Sequence, residues 1–344
     1  MAMKNANLIS CMPKVELHLH LEGAFTLEFL LAQIQTYDPR HAPRSLAELR
    51  QRFILRDFDH FIETWFWKNR FFRSARDFEQ SVYQTLASLS RQNVIHVEAF
   101  FSPWDFAANG LAAPEIIEAT IAGKQAATRD FGISCYLIAD LVRDHGYQTA
   151  DSRLNDVKTY RDHIIAIGLG GNESRYPTHL FADVFKIAGR SGFHRVAHAG
   201  EAAGAGSIRE ALDLLHAERI GHGIAAVQDA ELMAELRDRQ IPLEICPTSN
   251  LMTRVVDDLA HHPVRQLYQE GLLVTINSDD PTMFNSTLTN EYQLLHDRLG
   301  FSLSDIRQLV INATRASFLS SEEKKRIMQL IDRFWQPVNL NQEA

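Results

Sequence analysis

The chain has 344 residues, 45% of them hydrophobic and 23% charged, with a formal net charge of −8 at pH 7. That composition is globular, supplies material for a large core, and lacks the clustered positive charge of a nucleic-acid surface, so a small-molecule partner is expected and no nucleic acid. No run approaches the ~20 apolar residues of a membrane span, Met1–Cys11 lacks a signal-peptide pattern, and Cys11, Cys135 and Cys246 show no CxxC spacing, so a cytoplasmic enzyme without a membrane partner is expected.

Short β-branched apolar runs alternate with helical periodicity along the whole sequence, the pattern of parallel β/α units. The first predicted strand is Val15–Leu21. Roughly seventy residues separate it from the second, more than one crossover helix needs, which predicts a helical insertion over about 25–90. The insertion carries Phe58, Phe61, Trp65, Phe66, Trp67, Phe71 and Phe72. In a barrel it emerges at the C-terminal face, where barrel active sites lie. Most of these aromatics are expected to pack as the insertion's own core, leaving Phe61 and Trp65, one helical turn apart, as lid candidates over a flat substrate.

Further strands are predicted at Val94–Phe101, Ile133–Leu141, Ile164–Leu169, His194–Ala199, Arg219–Gly223, Pro242–Cys246 and Leu273–Ser278. Between them, Ser207–His216 places Ile208, Leu212 and Leu215 on one helical face, and Ala230–Arg239 is similarly periodic. Beyond Phe301, Ser302–Asp305 reads as a capping box and periodicity resumes twice before Trp335, giving C-terminal helices that close the barrel. Eight strands with intervening helices predict a (β/α)8 TIM barrel, and with no repeat or linker to mark a boundary, residues 1–344 are expected to form a single domain.

The sharpest local feature is Glu16-Leu17-His18-Leu19-His20-Leu21-Glu22-Gly23. Alternate strand residues share a face, so His18 and His20 project together into the barrel. Alone, this pair is as well explained by two hydrogen-bonded core histidines. The other strand ends change the balance: His198-Ala199-Gly200-Glu201, Gly221-His222-Gly223 and Ser278-Asp279-Asp280-Pro281 all fall at the same end of the predicted barrel. Catalytic zinc takes three or four His and carboxylate ligands and keeps a position for water, and His18, His20, His198 and Asp279 supply such a set for one ion. Zinc brings bound water to a pKa near ~7, and an amine leaving group needs a proton donor as well. Glu201, three residues past His198, suits the acid role if burial raises its pKa; His222 is placed to orient water, its flanking glycines permitting close approach. Gly170-Gly171 after strand four would expose backbone N–H groups, or form an unremarkable turn. Strand four supplies no Lys that could bridge two metals, so one ion is favoured.

These residues are similar to the adenosine deaminase family of the amidohydrolase superfamily, through Pro13–Gly23, His198–Glu201, Arg219–Gly223, Cys246–Asn250 and Asn277–Pro281. The resemblance implies zinc on His18, His20, His198 and Asp279, and Glu201 delivering a proton to purine N1. It further implies His222 beside the attacking oxygen, Asp280 at N7, the Gly171 N–H at N3 and Glu22 near the sugar hydroxyls; His20 and the lid candidates Phe61 and Trp65 complete the expected substrate surround. The expected reaction is hydrolytic deamination of adenosine or 2′-deoxyadenosine to inosine or 2′-deoxyinosine. Glu22 departs from the Asp common in adenosine deaminases and is shared with relatives acting on free adenine, whereas Gly221 and Thr248 lean toward a nucleoside. The alternatives are therefore free adenine, a 5′-modified adenosine such as aminodeoxyfutalosine or methylthioadenosine, and, in a different class, a non-catalytic binding barrel. A barrel of that last kind would be expected to have lost a ligand or the acid, and none is missing here.

Overall fold

The computed structural model describes residues 2–56 and 58–338. Eight parallel strands follow one another in sequence order: β1 Lys14–His20, β2 Val94–Phe101, β3 Ser134–Asp140, β4 Ile164–Gly168, β5 His194–Ala199, β6 Arg219–His222, β7 Leu243–Ile245 and β8 Val274–Ile276. Each pairs in parallel with the next. Their near-continuous burial is what a sheet covered on both faces requires, and explains the unbroken apolar runs.

The seam between β8 and β1 closes the barrel largely through side chains. Asn277 Oδ1 accepts the Leu17 N–H at 2.9 Å and Glu16 Oε1 accepts the Ser278 N–H at 2.8 Å. At the C-terminal end the backbone takes over: Asp279 N–H donates to His18 O at 3.0 Å and His20 N–H to Asp279 O at 2.9 Å. The closure that completes the sheet therefore also places Asp279 between the two β1 histidines.

Helices α1 Ala2–Cys11, α2 Leu27–Tyr37, α3 Leu46–Arg50, α4 Phe58–Asn69 and α5 Ala75–Arg91 precede β2, the last four forming the predicted insertion. Its aromatics build a second core distinct from the barrel's, with Phe25, Phe29, Phe53, Phe71, Phe72 and Phe78 among its members. Core packing thus accounts for Phe71 and Phe72, while Phe66 is 46% exposed and the Phe58 side chain lies outside the described residues.

The crossovers carry α6 Ala113–Phe131, α7 Ala150–Lys158, α8 Ala182–Arg190, α9 Ala205–Asp213, α10 Ala230–Arg239, α11 Pro247–Met252 and α12 Val264–Gln269. The tail supplies α13 Leu288–Leu299, α14 Leu303–Ala316 and α15 Ser321–Trp335. Helix α14 begins with the predicted reciprocal cap of Ser302 and Asp305. Its Asn312 Nδ2 donates to Val274 O at 3.0 Å, tying the tail to β8. Helix α9 starts two residues and stops three residues before the sequence pattern suggested. Among the described residues no helix is long and apolar enough to cross a membrane.

Candidate active site at the C-terminal end of the barrel

Strand alternation sends His18 and His20 inward, and the distances show what they meet. His18 Nδ1 lies 2.8 Å from Glu244 Oε2 on β7, which fixes the ring and turns Nε2 toward the barrel axis. Arg219 Nε donates to the other Glu244 oxygen and its guanidinium reaches Glu98, so Glu244 is held by a buried cation. His18 Nε2 is buried without a hydrogen-bond partner, 3.5 Å from Asp279 Oδ1. His20 Nε2 is 3.2 Å from His198 Nε2 and 3.5 Å from the same Asp279 oxygen. His222 Nε2 lies 3.8 Å from Asp279 Oδ2 and 3.6 Å from Glu201 Oε2.

One candidate ligand atom from each of His18, His198, His222 and Asp279 lies within 4.8 Å of all the others. With His20 beside them the centre gathers five candidate donors, one more than the sequence set. His222, expected next to the metal, lies as close as the ligands named from sequence.

This donor set fits a metal ion. Two imidazole nitrogens 3.2 Å apart either share a proton or share a cation, and burial disfavours protonating them: it pushes His20 down to about 3 and His198 well below the ordinary value. Neutral imidazoles are the form that binds metal. Around His18, burial alone would also lower the pKa, but Asp279 and Glu244 outweigh it and raise the ring to about 10. The flanking carboxylates call for positive charge, which a divalent ion supplies. His222 (φ 58°) and Asp279 (φ 61°) both adopt left-handed backbone, which His and Asp take more readily than most side chains.

Glu201 sits just past β5 with its carboxyl raised to about 8, by burial first and then by Asp279 and Glu173. Glu173, for which the sequence suggested no role, organises this loop. Its carboxylate accepts the N–H groups of Gly200, Glu201, Ala202 and Ala203 at 2.6 to 3.1 Å, and the Ser207 hydroxyl as well. A lone Glu after a Gly-Gly-Asn turn gives no sequence signal for such a task, because its partners lie 27 to 34 residues away.

The remaining predicted residues surround a cleft at the C-terminal end of the barrel. His20, Glu22, Gly171, Glu201, His222 and Asp280 line it beneath Phe61 and Trp65 of α4. Phe61 stacks on Phe284 at 5.5 Å, and the Trp65 indole N–H donates to Asp105 Oδ2 at 2.8 Å. Asp280 Oδ1 is buried and unpartnered, its pKa well above the usual carboxylate range through burial and Asp279. Gly23 permits that placement, since a Cβ there would fall 1.8 Å from the same oxygen. Glu22 Oε1 accepts the Ser102 N–H at 2.7 Å while Oε2 is buried without a partner. One expectation needs correcting: the Gly170 N–H is committed to Asp140 Oδ1 at 2.7 Å, so of the glycine pair it is Gly171 that faces the cleft.

The sequence pattern of the family described as adenosine deaminase matches residues 13–334, nearly the whole barrel. The chain belongs to the adenosine deaminase family. An adenine deaminase from Rhodospirillum rubrum is 34% identical over 316 residues, 92% of this chain and 95% of that protein, and an aminodeoxyfutalosine deaminase from Streptomyces coelicolor is 34% identical over 329 residues, 95% of this chain and 85% of that protein. The crystal structure of an adenine deaminase from Arthrobacter aurescens superposes with a TM-score of 0.91 at 31% identity, covering 95% of this chain and 100% of that one. An amidohydrolase from Burkholderia ambifaria with bound Zn gives 0.87 at 27% identity, covering 96% and 94%. Family membership makes this chain a hydrolytic deaminase of adenine-like substrates. The relatives are named for adenine or aminodeoxyfutalosine, the alternatives raised by Glu22, rather than for adenosine.

Proposed function

We propose that the chain is a zinc-dependent aminohydrolase that deaminates an adenine nucleoside carrying a 5′ modification, as aminodeoxyfutalosine or methylthioadenosine does. The observation that carries this reading is the reach of the cleft, whose lining extends from Glu22 to Ser102, Asp105, Asp144, Ile62 and Phe66. Gly221, which leans toward a nucleoside, supports it: a Cβ there would fall 2.8 Å from His18 Cε1, so the centre is built around glycine. A His and Asp donor set with no thiolate suits zinc, held by His18, His20, His198 and Asp279. When bound, the ion supplies an activated water.

The chain's own groups do the rest. Glu201, kept protonated by burial, donates its proton at purine N1, which draws electrons from C6 and prepares it for attack. Purine N7 is an acceptor, so Asp280 reads it only as the acid, the form that burial beside Asp279 favours. The Gly171 N–H faces N3, and the α4 aromatics cover the ring and exclude water. The carboxylates Glu22, Asp105 and Asp144 on the far side disfavour a 5′-phosphate.

Free adenine is the second reading, favoured by the buried and unpartnered Glu22 Oε2, which a purine N9–H would satisfy. A substrate panel followed at the adenine absorbance band decides between them. Methylthioadenosine or aminodeoxyfutalosine is expected to exceed adenosine and adenine in kcat/KM by at least ~10-fold, about 1.4 kcal/mol of transition-state binding. Highest activity on adenine hands the site to the second reading, and no turnover of any purine overturns both.

A further inference from the structure

His222 turns one ring nitrogen into the active site and the other into the protein, and the groups behind it form a directed chain that starts from the backbone. The Val264 N–H donates to His262 Nδ1 at 3.1 Å. A peptide N–H can only donate, so this ring nitrogen carries a lone pair. His262 is buried, and burial keeps its ring neutral by lowering the pKa to about 4, which leaves its proton on Nε2. That N–H faces Asn250 Oδ1 at 3.2 Å, orienting the amide with oxygen toward His262 and nitrogen toward His222. Asn250 is fully buried, and its Nδ2 donates to His222 Nδ1 at 3.1 Å. His222 Nδ1 is thereby an acceptor, and the proton of the neutral ring resides on Nε2, 3.6 Å from Glu201 Oε2 and 3.8 Å from Asp279 Oδ2.

We propose that Asn250 and His262 are positioning residues that lock His222 in its Nε2–H tautomer, so that it offers the reacting oxygen a hydrogen-bond donor and not a ligating lone pair. The inference rests on the deaminase reading and deepens it. On this assignment His222 is excluded from the proposed ligand set although it lies as close to the centre as its members, because with a proton on Nε2 it has no electron pair to give a metal. Any other order along the chain would set two donors or two acceptors face to face in a dry interior.

The test is the tautomer itself, read in the zinc-loaded protein by long-range proton–nitrogen correlation with ¹⁵N-labelled histidine, the His222 signals being assigned by their loss in His222→Gln. The wild type is expected to show a proton-free Nδ1 and a protonated Nε2. Asn250→Asp places a carboxylate at the junction, which accepts from both rings and forces the His222 proton onto Nδ1. The spectrum inverts, and kcat falls on the order of 10²-fold, the loss expected for one oriented donor, with KM within about threefold. His262→Gln, whose amide can accept from Val264 and donate to Asn250, keeps the wild-type pattern and kcat, whereas His262→Leu frees the Asn250 amide and mixes the tautomers. A wild-type proton on Nδ1, an Asn250→Asp enzyme of unchanged kcat, or a His262→Leu spectrum identical to wild type overturns the proposal; the His262 pair also serves if Asn250→Asp does not fold. Because the tautomer is read without turnover, failure here is distinct from inactivity on every purine, which would overturn the functional reading instead.

Discussion

At the scale of single residues, the proposed chemistry turns on Glu201. Its carboxyl is raised to about 8 by burial, then by Asp279 and Glu173, so at neutral pH it holds the proton that the proposed reaction consumes. The sign follows directly: below about 8 the acid is loaded, and above it deprotonation removes the donor. The alkaline limb of kcat/KM is therefore expected to break near pH 8 and fall about tenfold per pH unit beyond it. Glu201→Gln keeps the shape but has no acidic proton; it is expected to retain its metal and lose about 10²–10⁴-fold in kcat, with the alkaline break abolished. Metal analysis alongside rate profiles checks both halves, and unchanged turnover would remove Glu201 from this role.

At the scale of elements, the β5 loop shows how the proposed proton donor is held in place. Four successive N–H groups, from Gly200 to Ala203, converge on one carboxylate from the loop after β4, much as capping groups satisfy a helix start. Glu173→Ala would leave these donors and the Ser207 hydroxyl without their acceptor in a setting that is buried at Gly200 and half-buried at most of the others. A loss of about 2–4 kcal/mol is expected, appearing as a lower urea midpoint at unchanged slope. A variant with the wild-type midpoint would show that the loop holds itself. Helix α4 illustrates the complementary arrangement, with Phe61 and Trp65 turned to the cleft and the insertion's packing entrusted to Phe71 and Phe72 on the segment that follows.

At the scale of the whole molecule, closing the barrel and building the metal centre are one event, since the β8–β1 seam seats Asp279 between His18 and His20. The Asp279 carboxylate and the neutral His20 and His198 rings gathered there offer their lone pairs to a cation only once the barrel has closed, so metal binding is linked to folding. Stripping the ion with a chelator is expected to lower the thermal midpoint, and zinc at ~100 times its Kd to return about 2.7 kcal/mol. A midpoint that ignores both treatments would contradict a metal bound by these residues.

Much of this was legible in the sequence because it is local. All eight strands fall within two residues of their predicted bounds, since apolar runs and strand alternation depend on neighbours alone. Strand alternation likewise aimed His18 and His20 inward, and the recurrence of polar groups at strand ends singled out His198, Glu201, His222, Asp279 and Asp280. Distances between those ends are set by barrel closure, so the sequence could not show His222 lying as near the centre as the ligands, nor Gly170 already bonded to Asp140. The task of Glu173, and the chain from Val264 through His262 and Asn250 that orients His222, were hidden for the same reason. A hydrogen bond between residues distant in sequence leaves no periodicity to read; only the packed fold brings donor and acceptor together and decides which nitrogen carries the proton.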